Sequence, residues 1–219
     1  MTVKKEKKQR LRAPSKRSLA SRSRILDAAE LVFARDGFEG AKVRDIAAAA
    51  EVPLGLVHHH GGGKEALFRE VVERRAEALS RLRLAALAQA KADGALSLSD
   101  ILRCFFQPYL EKAEGGDAQW LAYARLVAIV SADPAWAKIS AELFDPTAQR
   151  FIDEIAGLYP QVRRAVAAEA FVYSVAALLA FLTSQWRVAA LSEAAGAQVT
   201  IDGLVAFCAA GCGARLTQG

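Results

Sequence analysis

Residues 25–68 read ILDAAELVFARDGFEGAKVRDIAAAAEVPLGLVHHHGGGKEALF, and the punctuation of this stretch decides the fold. Ile25, Ala29, Val32 and Phe33 recur at helical spacing, so a first helix is expected over residues 19–36. Gly37 follows, where a left-handed backbone costs glycine little. Residues 43–50 suit a second short helix. Residues 54–60 suit a third, with Pro53 near its first turn, where a missing N–H is no loss. Glu51 and Val52 alone separate the two. The run Gly61-Gly62-Gly63 then breaks the chain, and a long fourth helix is expected over residues 64–92. Leu67, Val71, Ala78, Leu79 and Leu82 mark its inner face; Arg75 falls on the same stripe and is expected to snorkel. Short helices joined by a tight turn form a helix-turn-helix, whose last helix fits a major groove about 12 Å wide. The same spacing also suits an ordinary small helical bundle.

Residue order is more specific than spacing. The segments Ile25-Leu26-Asp27-Ala28-Ala29, Leu31-Val32-Phe33-Ala34, Gly37-Phe38 and Val43-Arg44-Asp45-Ile46-Ala47 come in sequence. Val52, Gly55, His59-His60 and Lys64-Glu65-Ala66-Leu67-Phe68 follow them. Together they closely resemble the DNA-binding domain of the TetR/AcrR family of repressors, over residues 21–70. The resemblance implies roles. Arg44 corresponds to a phosphate contact. The third helix corresponds to the recognition helix, with Leu54, Gly55, Val57, His58 and His59 near base edges or sugar-phosphate. Lys64 corresponds to a phosphate ligand, and a lysine beside a helix N-terminus does favour an anion.

The chain also departs from the family's pattern. His58 stands where tyrosine is usual, Gly61 where phenylalanine packs the small core, Gly63 and Lys42 where serine or threonine caps a helix, and Leu54 where a polar or basic residue is common. Losing a core ring costs about 3–5 kcal/mol. A less stable headpiece is therefore expected, along with DNA affinity that leans on phosphates and falls steeply with salt. An alternative is a dimeric helical sensor whose headpiece is impaired by Gly61.

Outward from this stretch, charge is divided unevenly. Residues 1–24 hold ten basic side chains and one acid, a charge of +9, while the rest holds 19 basic and 23 acidic, a charge of −4. A basic arm, expected to be disordered over residues 1–18, suits a polyanionic partner. The N-terminus is charged rather than apolar, and no signal peptide is expected. Cys104, Cys208 and Cys212 are odd in number and form no CxxC pair, which argues against a disulfide framework and fits a reducing cytoplasm. Residues 165–182 are nearly apolar but alanine-rich and carry Glu169, so they are expected to be a buried helix and not a membrane span.

Asp93-Gly94 marks the clearest boundary. Ser97 and Asp100 suit a capped start, Pro108 a kink, and Asp133-Pro134 and Asp145-Pro146 two further helix starts. A helix opened by Pro160 and running to residue 191, and a last one after Thr200, complete an all-α chain of about nine helices. The expected domains are the helix-turn-helix over 19–66 and an effector-binding and dimerisation domain over 67–219. The resemblance implies a homodimer through the last two helices, double-stranded operator DNA as partner, and a small-molecule effector. Phe105, Tyr109, Trp120, Tyr123, Trp136 and Tyr173 are expected around the effector, which is read as hydrophobic or aromatic. Gln119, Arg125, Gln185 and Arg187 are the polar residues considered beside them.

No enzyme is expected. There is no nucleophile motif, and Gly61-Gly62-Gly63-Lys64 lacks the strand that a phosphate loop follows. Three consecutive histidines point in three directions, so no metal and no cofactor is expected. Cys208 and Cys212, at i and i+4, read as small buried residues rather than a redox pair.

Overall fold

A computed structural model describes residues 16–114, 117–192 and 200–217. The expected arm lies outside them up to residue 15; residues 16–18 are already helical. Among the described residues every regular element is helical. The helices are α1 (Lys16–Gly40), α2 (Val43–Ala49), α3 (Leu54–Gly61), α4 (Lys64–Asp93), α5 (Leu98–Glu114) and α6 (Ala118–Ala132). A 3₁₀ turn (Pro134–Trp136) precedes α7 (Ala137–Leu143), α8 (Asp145–Leu158), α9 (Arg164–Thr183), α10 (Gln185–Ser192) and α11 (Ile201–Thr217).

Eleven helices thus replace the expected nine or so. The helix expected from Pro160 to residue 191 is two: α9 begins at Arg164, with Pro160 in the preceding turn, and the chain breaks at Ser184. There the backbone leaves the helical region (φ −122°, ψ 16°), and Thr183 Oγ1 donates to Leu179 O at 2.8 Å. Hydroxyls so placed compete with the helix ladder. Asp145 does not cap α8; it lies in the first turn, and Phe144 holds the cap position. At two other points the punctuation acts as read. Gly37 takes φ 70° and kinks α1. Ser97 and Asp100 cap reciprocally, with Ser97 N donating to Asp100 Oδ2 at 2.9 Å and Asp100 N to Ser97 Oγ at 3.2 Å.

α1 packs against α4 and α6, α2 against α1 and α3, and α4 against α5. The junction is aromatic. Phe68 meets Phe33 edge-on at 5.1 Å and Phe38 at 5.3 Å, and Trp136 lies 4.7 Å from Phe68 and 4.8 Å from Phe38. Trp136 therefore staples the first three helices to the rest. Beside it an ionic knot crosses the same joint. Glu30 on α1, fully buried, accepts from Arg75 Nε at 3.1 Å and from Arg74 Nη2 at 3.1 Å, and Arg74 also reaches Asp27 at 2.9 Å. Arg75 lies over the Trp120 ring at 4.8 Å. Arg75 does not snorkel, then; it is drawn inward by Glu30. Burial raises the Glu30 carboxyl above its usual range, with Arg75 and Arg74 pulling the other way. Leu82, expected inward, stands exposed.

Gly61 does not leave a hole. It is buried, and a Cβ there would meet Leu67 Cδ1 at 3.1 Å, so Leu67 occupies the space a ring would need. Gly62, at φ 66°, adopts the left-handed turn that lets α4 begin.

α9 is long and apolar enough to cross a membrane. Here Val166, Ala170, Phe171, Ser174 and Leu178 are buried, and the helix packs against α11, α6 and α8. A core helix passes the same length test.

Candidate functional site

The α2–α3 unit presents a narrow face. Glu51, at φ 54°, makes the turn, and Val52 N donates to Ala47 O at 3.1 Å. Ile46, Ala47 and Val57 point into the core, which leaves Leu54 (45% exposed), Gly55, His58 and His59 outward on α3. Val57, expected near the DNA, is only 1% exposed, and its side chain holds α3 to the bundle. A Cβ on Gly55 would meet nothing within 4 Å, so the protein's own packing does not require glycine there. Arg44 projects from the first turn of α2, bonded loosely to Asp45 at 3.5 Å. Lys64 is engaged: Nζ donates to Glu39 O at 3.1 Å and lies over Phe38 at 4.6 Å. Lys16, Arg17 and Arg24 are exposed on α1.

The second half holds a half-open cavity of about 660 Å³ between α4, α5, α6, α7, α8 and α9. Of the aromatic residues expected there, Phe105, Tyr109 and Tyr123 line it. Trp120 and Trp136 are absent from its wall: Trp136 packs on Phe38 and Phe68 at the joint with α1, and Trp120 packs on Arg75, Tyr109 and Tyr123. Tyr173 is 63% exposed on the outer side of α9, beside a second hollow of about 400 Å³ against α11. None of Gln119, Arg125, Gln185 and Arg187 lines the main cavity. Gln119 Nε2 instead donates to Asp27 O at 3.2 Å, tying α6 to α1.

Sequence reasoning missed Arg83. It lies on the cavity wall, Nε donates to Phe105 O at 2.8 Å, and its guanidinium stands 3.5 Å from the Phe105 ring centroid. Burial pushes its pKa down to about 10, opposed by Tyr123 and Tyr109, so it stays a cation at neutral pH. Burial raises the phenols of Tyr109 and Tyr123 and keeps both neutral; Tyr109 Oη donates to Trp120 O at 3.1 Å. The signal was available, since Arg83 stands four residues after Leu79 on the inward stripe of α4.

α9 and α11 lie side by side, with Tyr173 and Phe207 (73% exposed) on their outer surface, while Val172, also exposed, lines the main cavity. Beneath them Cys208 and Cys212 are buried, and Ser174 Oγ lies 3.2 Å from Cys212 Sγ. Burial pushes the Cys208 thiol up to about 11, away from the reactive thiolate.

Comparison with known proteins covers both halves. Residues 25–71 match the family model of bacterial regulatory proteins of the tetR family, and residues 103–211 match that of the tetracyclin repressor-like C-terminal domain. The HTH-type transcriptional repressors AcnR of Corynebacterium efficiens and Corynebacterium glutamicum are each 44% identical over 64 residues. That match spans 27% of this chain and 34% of each relative's length. Among solved structures, a TetR-like transcriptional regulator from Rhodococcus sp. RHA1 is similar with a TM-score of 0.60 at 22% identity, over 95% of this chain and 100% of that one. The multidrug binding protein EbrR, complexed with malachite green, gives 0.54 at 22% identity, over 75% and 88%. At these identities the structural likenesses bear on the fold.

Proposed function

The chain belongs to the TetR family of bacterial transcriptional regulators, and on that premise we propose that it is a homodimeric repressor released from a palindromic operator by a small effector in the cavity. The observation that carries this reading is the continuity of α4. Its first turn abuts α3 and caps the end of α1 through Lys64; three to five turns later Ala76, Leu79, Ser80 and Arg83 form a wall of the cavity. A ligand that moves this wall moves the end that holds α3, and it shifts the equilibrium only by its differential affinity for the two arrangements.

In this reading α3 enters the major groove. Leu54, Gly55, His58 and His59 face the bases or their backbone, Gly55 allowing close approach, while Arg44, the exposed α1 cations and the basic arm meet phosphates. Lys64 keeps two ammonium donors beyond the one on Glu39 O with which to meet a phosphate. The dimer forms through α9 and α11, whose exposed Tyr173 and Phe207 need cover. Two headpieces then sit in successive major grooves, which implies the palindrome. Such a protein works in the cytoplasm, without catalysis or a cofactor. Support for a small-molecule effector comes from the cavity and from the similar fold of EbrR, which binds malachite green.

The test is footprinting of the region beside the protein's own gene. Protection of one palindromic site, lost for the double variant His58→Ala/His59→Ala at unchanged melting temperature, supports the reading. Equal affinity for random DNA would reject it.

A further inference from the structure

Resting on the reading of the cavity as an effector site, we propose that its ligand is an apolar molecule ending in a carboxylate, bound by Arg83 and Tyr123. The cavity wall holds a cation, Arg83, that forms no ion pair among the described residues. Arg83 Nε has a structural use, since it donates to the Phe105 carbonyl and ties α4 to α5. The two Nη nitrogens have no such use, with neither a hydrogen bond nor an ion pair among the described residues. By contrast, Arg74 and Arg75, two turns earlier on α4, share the buried Glu30. Arg83 is half-buried, and a charge partly withdrawn from water without a partner gains from pairing with an anion.

The geometry also selects the kind of partner. Phe105 covers one flat face of the guanidinium at 3.5 Å, which leaves the Nη fork at its edge free. That planar fork matches the two oxygens of a carboxylate. Tyr123 lines the same wall, and its neutral hydroxyl has no hydrogen-bond partner among the described residues, so it can donate a further bond. Asp145 also lines the cavity, but it is exposed at the start of α8 and forms no ion pair with Arg83. Val127, Phe171, Leu178 and Leu179 supply an apolar surface for the body of the ligand. A neutral ligand would leave Arg83 unpaired, and a cation would add a second like charge.

The test is calorimetric titration of the full chain, free of DNA, with ω-phenylalkanoates from phenylbutyrate to phenyloctanoate. Their primary amides serve as uncharged matches and tetraphenylphosphonium as a cation. The best acid is expected to bind roughly 10- to 100-fold more tightly than its amide, the ratio given by charge-assisted hydrogen bonds. Arg83→Gln should erase that ratio while Arg83→Lys keeps part of it, with helical circular dichroism unchanged. The acid-to-amide ratio of the unaltered protein needs no variant to be read. Acid and amide bound equally, only the cation bound, or no acid bound up to millimolar would overturn the proposal. Acid binding that leaves operator DNA bound keeps the anion site and rejects the effector reading; release of DNA by a neutral or cationic ligand alone does the reverse.

Discussion

The two ends of α4 are built on opposite principles. At its start, Phe33, Phe38, Phe68 and Trp136 fill the joint ring against ring, and Glu30 is locked between Arg74 and Arg75. Three turns further on, about 660 Å³ is left open among apolar walls. Protein interiors otherwise pack to the density of organic crystals, so a hollow of this size is stability forgone. The pairing teaches how a signal can travel. A well-packed joint passes on a displacement, and a hollow allows one to be imposed.

Four changes would break or sharpen that contrast. Phe68→Ala removes a fully buried ring from the packed end and should cost about 3–5 kcal/mol in denaturant unfolding. A loss under about 1 kcal/mol would mean the joint is as loose as the cavity. Glu30→Gln leaves Arg75 without its anion, and about 3 kcal/mol of stability should go with it. Ala128→Leu does the opposite at the hollow end. By filling space on the cavity wall it should raise stability by about 1 kcal/mol and blunt the response to effector. His58→Ala/His59→Ala, on the exposed face of α3, should change stability by less than about 0.5 kcal/mol. The same pair should weaken operator binding at least about 10-fold, the worth of one lost base-edge contact.

The packed end was legible in the sequence because its signals are local. Gly37, Pro53 and the glycine run mark helix ends by backbone chemistry, and Ile25, Val32 and Phe33 repeat on one face. What failed there needs partners distant in sequence. Glu30 looks like a surface acid until α4 brings Arg75 beside it, and Gly61 looks like a hole until Leu67 covers it. The cavity was half legible. Helical spacing says that Trp120, Trp136 and Tyr173 have a place, but not whether it is a ligand wall, a domain joint or an outer face. The break at Ser184 carries no glycine or proline to announce it, so α9 and α10 read as one helix. Arg83 was passed over because a lone arginine on an apolar stripe reads as a snorkelling side chain; only the cavity beside it gives it a use.

The central claim is that α3 binds one DNA site and that occupancy of the cavity loosens it. The most direct measurement is the affinity for the palindrome beside the protein's own gene, titrated at two salt concentrations with and without a cavity ligand. The account predicts specific binding that falls steeply with salt, because α3 offers few side chains to the bases, and a ligand-induced loss that Ala128→Leu abolishes. Affinity indifferent to sequence, or unmoved by a ligand shown to occupy the cavity, would contradict it.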